Sequence, residues 1–138
     1  MSRRLPHFNR ETLENALPEA GIAYLWMPAL GGRRKRQTKD SPNTGLRNDS
    51  FRNYADYMLT QEFQNGIEDL LRLEGPPAIM CAERVYFRCH RMLVSDYLKA
   101  HGHEVLHIDN EKPARPHKLT AEARLIDGRL IYGEPRLF

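Results

Sequence analysis

Residues 78–91 read Ala78-Ile79-Met80-Cys81-Ala82-Glu83-Arg84-Val85-Tyr86-Phe87-Arg88-Cys89-His90-Arg91. A short apolar run follows the breaker Gly75-Pro76-Pro77 and gives way to a polar turn. Leu93, Val94, Tyr97 and Leu98 then recur at helical spacing as far as Gly102. The pattern predicts strand, turn and helix. Two further apolar runs, Ile22-Ala23-Tyr24-Leu25-Trp26 and Glu104-Val105-Leu106-His107-Ile108, read as strands, the first of them buried with Trp26 inside. Helical spacing places helices between them: one after Asn9, one from Asp49 or Ser50 with Phe51, Tyr54, Ala55 and Met58 on one face, and one from Thr60 with Phe63, Ile67, Leu70 and Leu71. Near the end, Leu125-Ile126-Asp127-Gly128-Arg129-Leu130-Ile131-Tyr132 is a two-residue Asp-Gly hairpin with alternating flanks. Strands alternating with helices imply parallel pairing. The expected fold class is therefore α/β: a mostly parallel sheet flanked by helices on both faces, with a C-terminal β-hairpin.

Composition sets the outer bounds. The chain has 138 residues, 41% hydrophobic and 28% charged, which suits one α/β domain over 1–138. It has no apolar run of membrane-spanning length and no signal-peptide core, so no membrane contact and a cytoplasmic location are expected. Two cysteines do not make a disulfide scaffold. A net charge of +3 and a pI near 9.0 permit an anionic partner.

In an α/β sheet, ligands sit beyond the carboxyl ends of the strands. The turn from Cys81 to Arg91 is placed there, between a strand and a helix N-terminus whose free amides favour negative charge. Arg88 and Arg91 add full charges, and with Cys89 would bind an anion. In such a field Cys81 becomes a stronger nucleophile, and Glu83 or His90 would transfer a proton. The candidate catalytic residues are thus Cys81, Glu83 and His90. Ion pairing of Glu83 with Arg88 or Arg91, merely fixing the turn, is the bland alternative. A phosphatase-type loop does not fit, because the Cys-x5-Arg position is Phe87 and the loop has no glycine. Zinc is disfavoured: the cysteines are eight apart, and His101, His103, His107 and His117 show no paired spacing. No metal and no cofactor are expected.

Residues 28–50 lack periodicity and carry Arg33, Arg34, Lys35, Arg36 and Lys39. A loop of about 20 residues in a small domain is usually functional or disordered. Arg33 and Arg34 at the ligand edge would meet phosphates. Three functions compete: nucleic-acid or nucleotide processing with this loop holding phosphates, a sulfurtransferase-like thiol enzyme using Cys81, and a non-catalytic anion-binding module.

The order Pro6-His7-Phe8-Asn9, Leu30-Gly31-Gly32-Arg33, Phe51-Arg52-Asn53-Tyr54-Ala55-Asp56-Tyr57-Met58, Cys81-Ala82-Glu83, Cys89-His90-Arg91 and His107-Ile108 resembles the family of domain of unknown function 488. The resemblance runs from residue 2 to about 132, and its specific part is the Cys-Ala-Glu and Cys-His-Arg pair. It implies a fold and a site location, not a reaction. Family members begin with a strand, a helix and a second strand ending in Asp-Val-Arg. This chain opens at Ser2-Arg3-Arg4, after that point. The resemblance thus implies a chain short at its N-terminus, without the aspartate and arginine that would face Glu83 and Arg91.

Overall fold

Asn48 starts the central helix. Its side chain accepts a hydrogen bond from the Phe51 amide at 3.1 Å, and its own backbone is extended. In the computed structural model, which describes residues 9–83 and 85–133, this helix is α2 (Asp49–Tyr57). It follows α1 (Arg10–Glu19) and precedes α3 (Gln61–Leu71), capped by the Thr60 hydroxyl, and α4 (Arg91–Ala100), which ends at Gly102 with φ +89°. Tyr54, Ala55, Tyr57 and Met58 near the end of α2 meet Phe63, Ile67 and Leu70 from α3 and Leu93, Val94, Tyr97 and Leu98 from α4. Phe63 is the hinge pin of this core. Its ring meets Tyr54, Tyr57 and Tyr97 edge-on, at centroid distances of 6.1, 5.9 and 5.2 Å. By contrast α1 buries none of its residues.

The expected parallel sheet is not there. The described residues form two antiparallel two-stranded sheets. One pairs β1 (Leu106–His107) with β2 (Arg115–Pro116), and the other pairs β3 (Ala123–Ile126) with β4 (Arg129–Tyr132). Among the described residues the runs 22–26 and 78–81 carry no ladder partner, and their apolar side chains stay out: Trp26 is 52% exposed and Met80 50%. Trp26 is covered on one face by the Arg10 guanidinium, 4.0 Å from the ring centroid, and is not in the core. The physical reason is that an apolar run signals burial against something, while a strand needs a neighbour for its backbone amides and carbonyls. The Asp-Gly hairpin carries its own partner in sequence, and the run at 104–108 finds one in Arg115–Pro116. Asp127 (φ 51°) and Gly128 (φ 78°) are both left-handed, as the tightest two-residue turn requires.

The long segment between α1 and α2 is ordered by the core beneath it. Tyr54 donates its hydroxyl to the Leu30 carbonyl (2.7 Å) and Tyr57 to the Ala29 carbonyl (2.5 Å). Further on, buried Asn43 donates to Asp56 (2.7 Å) and accepts the Tyr132 amide (2.8 Å), docking this segment on β4. Leu30 and Leu46 join the core. No helix among the described residues is long and apolar enough to cross a membrane.

Candidate thiol site

Among the described residues no strand leads into the turn after Cys81, yet that turn does gather reactive groups. A short 3-10 turn at Tyr86–Arg88 reverses the chain and leads into α4. This brings one ligand atom each of Cys81, Cys89 and His90 within 4.8 Å of one another. Both cysteines are free and part-buried. The set offers two sulfurs and an imidazole, which are suitable donors for a soft metal ion.

Arg91 organises the cluster. Its Nε donates to Cys89 Sγ at 3.1 Å and its backbone amide to the same sulfur at 3.4 Å, while its terminal nitrogen reaches the Glu83 carbonyl. Glu83 enters through its backbone: its amide donates to Cys81 Sγ at 3.4 Å, and its residue is exposed. Among the described residues its carboxylate makes no ion pair with Arg88 or Arg91.

The two thiols are driven apart in acidity. Hydrogen bonding from the Cys89 thiol, aided by the Glu83 amide and the Arg91 charge, outweighs burial and pulls Cys81 down to about 6. Cys89, facing that thiolate and part-buried, is pushed up and stays protonated. One sulfur is thus a thiolate at neutral pH and its neighbour a proton carrier.

His90 packs between two elements. Its ring lies 5.3 Å from Tyr54, and a Cβ on Gly32 would sit 2.3 Å from its Nδ1. Only a glycine lets the 31–34 segment approach this closely. Burial, followed by the charges of Arg91 and Arg34, pushes His90 down to about 4, so it is neutral at pH 7. This has a consequence for stability. Unfolded His90 takes a proton near 6.5 and folded His90 only near 4, so the unfolded chain binds more protons in between. His90 therefore adds stability that is full above about 6.5 and falls as pH drops towards 4, by about 2–3 kcal/mol. Urea unfolding of parent and His90→Gln at pH 7 and 4.5 should show a smaller acid loss in the variant; equal losses would contradict this placement of the ring.

The basic segment divides. Arg34 is folded back onto the protein: it donates to the Gly31 carbonyl (3.1 Å) and the Pro28 carbonyl (2.5 Å), lies 3.8 Å over the Tyr57 ring and stands 3.9 Å from the Glu62 carboxylate. Arg33 and Arg88 are exposed and make no ion pair among the described residues. Sequence reading missed a second constellation altogether: buried Asp96 and His117, with His107 beside them. These residues are 21 and 10 positions apart, and no spacing rule joins them.

The family model described as "Domain of unknown function DUF488" matches residues 1–98. No curated protein and no solved structure matches the chain. With well over half of its length matched, the chain belongs to the DUF488 family of domains of unknown function.

Proposed function

We propose that the protein performs thiol chemistry on an anionic, disulfide-bearing substrate, with Cys81 as nucleophile and Cys89 as resolving thiol. The observation that carries this reading is the meeting of the two sulfurs, eight residues apart in sequence, beside the Arg91 guanidinium. The Cys81 thiolate attacks one sulfur of the substrate disulfide. The sulfur–sulfur bond breaks, and the distal half leaves as a thiolate. Cys89 gives its proton to that leaving group and attacks Cys81 Sγ, which releases the other half and closes a Cys81–Cys89 disulfide. The protein is oxidised by two electrons and the substrate reduced by two; an external thiol resets the pair. Arg91 and the exposed Arg88 favour a negatively charged substrate. Exposed Arg33, Lys35 and Lys39 support an anionic partner more broadly, with nucleotides and nucleic acids as one class.

The test compares two disulfides, the dianionic 5,5′-dithiobis(2-nitrobenzoate) and neutral bis(2-hydroxyethyl) disulfide. Parent protein should react with the anionic one at least tenfold faster relative to free cysteine at low salt, and the advantage should shrink with added salt. Peptide mapping should find a Cys81–Cys89 disulfide, and Cys89→Ser should stop at a mixed disulfide on Cys81. A Cys81 no faster than a buried core thiol, or a mixed disulfide trapped on Cys89 instead, removes this reading.

A further inference from the structure

A buried carboxylate is wired through two histidines to a hollow lined in part by Tyr86 and Phe87 of the 3-10 turn. Asp96 accepts the Tyr132 hydroxyl at Oδ2 (2.8 Å) and the Thr120 amide at Oδ1 (3.0 Å). With both oxygens accepting, His117 Nε2, 2.6 Å from Oδ1, is the donor. With its proton on Nε2 alone, His117 has a bare Nδ1. That atom lies 2.7 Å from His107 Nε2, which in that tautomer carries the proton between them. His107 is left with an unprotonated Nδ1, and no described residue donates to it. The ring is held in plane by Tyr86, stacked at 3.5 Å and tilted by only 5°.

His107 borders a hollow of about 450 Å³. Tyr86, Phe87 and Pro116 give it apolar walls, with Phe87 half-exposed, and the Asp109–Arg115 ion pair (2.8 Å) forms its rim. The titratable and charged groups facing His107 are His117, Asp109, Arg115 and Tyr86, with Arg91 also within electrostatic reach. Burial and then His117 hold the ring below the ordinary histidine range, against the pull of Asp109.

We propose that this hollow is a general-base site, in which His107 Nδ1 takes a proton from a small planar substrate that builds negative charge on oxygen as it loses that proton. The flat substrate lies against Phe87, and Arg115 meets the oxyanion. As Nδ1 takes the proton, the Nε2 proton of His107 moves towards His117 Nδ1. Positive charge is thereby delivered to the buried Asp96 carboxylate, which no solvent screens. His107 is the catalytic residue; His117 and Asp96 are positioning residues. None of them belongs to the thiol site, so the two proposals stand or fall separately.

The probe is 5-nitrobenzisoxazole, which needs nothing but a base. The base takes its ring C–H proton, the C–H electrons complete a carbon–nitrogen triple bond, and the nitrogen–oxygen bond breaks to release 2-cyano-4-nitrophenolate. Parent protein should exceed free imidazole of equal concentration, with a rate that rises with pH as the coupled His107–His117 pair gives up its proton. His107→Gln should lower the protein-dependent rate by about 100-fold. A parent rate no better than imidazole, or a His107→Gln rate within threefold of parent, overturns the proposal. Nitrogen-15 histidine spectra at pH 7.5 give a second readout independent of turnover: His107 protonated at Nε2 and bare at Nδ1 is expected, and the opposite tautomer overturns the relay.

Discussion

Asp96→Ala is expected to lower the unfolding free energy by about 3–5 kcal/mol, read from urea denaturation at pH 7. Asp96 is fully buried in α4 and receives three donors: the Tyr132 hydroxyl from β4, the His117 ring from the residue after β2, and the Thr120 amide. It therefore ties the helix to the parts of both hairpins that pack against it. The variant strands three donors in a dry interior, each at roughly 1–3 kcal/mol, and the costs overlap because the groups share one cavity. Tyr132 cannot escape by ionising, since burial, the largest influence on its hydroxyl, pushes it up whether or not Asp96 is there. Tyr132→Phe removes one donor and leaves Asp96 with two others, so about 1–2 kcal/mol is expected there. An Asp96→Ala protein within 1 kcal/mol of parent would mean that this network does not hold the hairpins to α4.

A sequence signal is legible to the extent that it carries its own partner. Helices α2, α3 and α4 were legible because capping and periodicity are local: Thr60 caps its own helix, and Phe63, Ile67 and Leu70 recur on one face. The hairpin was legible because Asp127-Gly128 fixes the turn and the register together. The sheet was not. Ile22–Trp26 and Ala78–Cys81 have strand-like composition, but pairing is a property of two segments, and neither finds a second one among the described residues. The gathering of Cys81, Cys89, His90 and Arg91 depends only on the turn and the start of α4, which are close in sequence. Glu83 shows the limit of residue-type reasoning. A carboxylate suggested proton transfer, whereas the groups of Glu83 that touch the cluster are its amide and carbonyl. Arg34 shows another: a charge run suggests a solvated face, and one member is folded back onto its own carbonyls. The Asp96–His117–His107 line was invisible for a third reason. Its members lie on α4, after β2 and on β1, and only packing aligns them.

The alkylation of Cys81 by iodoacetamide should follow a titration with its midpoint near 6, and Cys89→Ala should move that midpoint upwards. Only the thiolate reacts, so the rate at a given pH reports the ionised fraction. The largest force on Cys81 is the Cys89 thiol, whose S–H bonds the Cys81 thiolate more strongly than it would a neutral thiol. Removing it leaves burial opposed only by the Glu83 amide and the Arg91 charge, and the midpoint should climb towards the ordinary cysteine value of about 8.5. At pH 6 half of parent Cys81 is ionised. A shift of even two units leaves about one part in a hundred, so alkylation there should slow some tens-fold. At pH 10 the two proteins should converge, because both are then thiolates, which separates an acidity effect from a change in access. Arg91→Gln should move the midpoint in the same direction but less, as its charge acts on Cys81 more weakly than the neighbouring thiol. Mass mapping assigns the label to Cys81 or Cys89. A parent midpoint above 8, or one that Cys89→Ala leaves in place, would show that the two sulfurs do not communicate and that the dithiol mechanism has no basis.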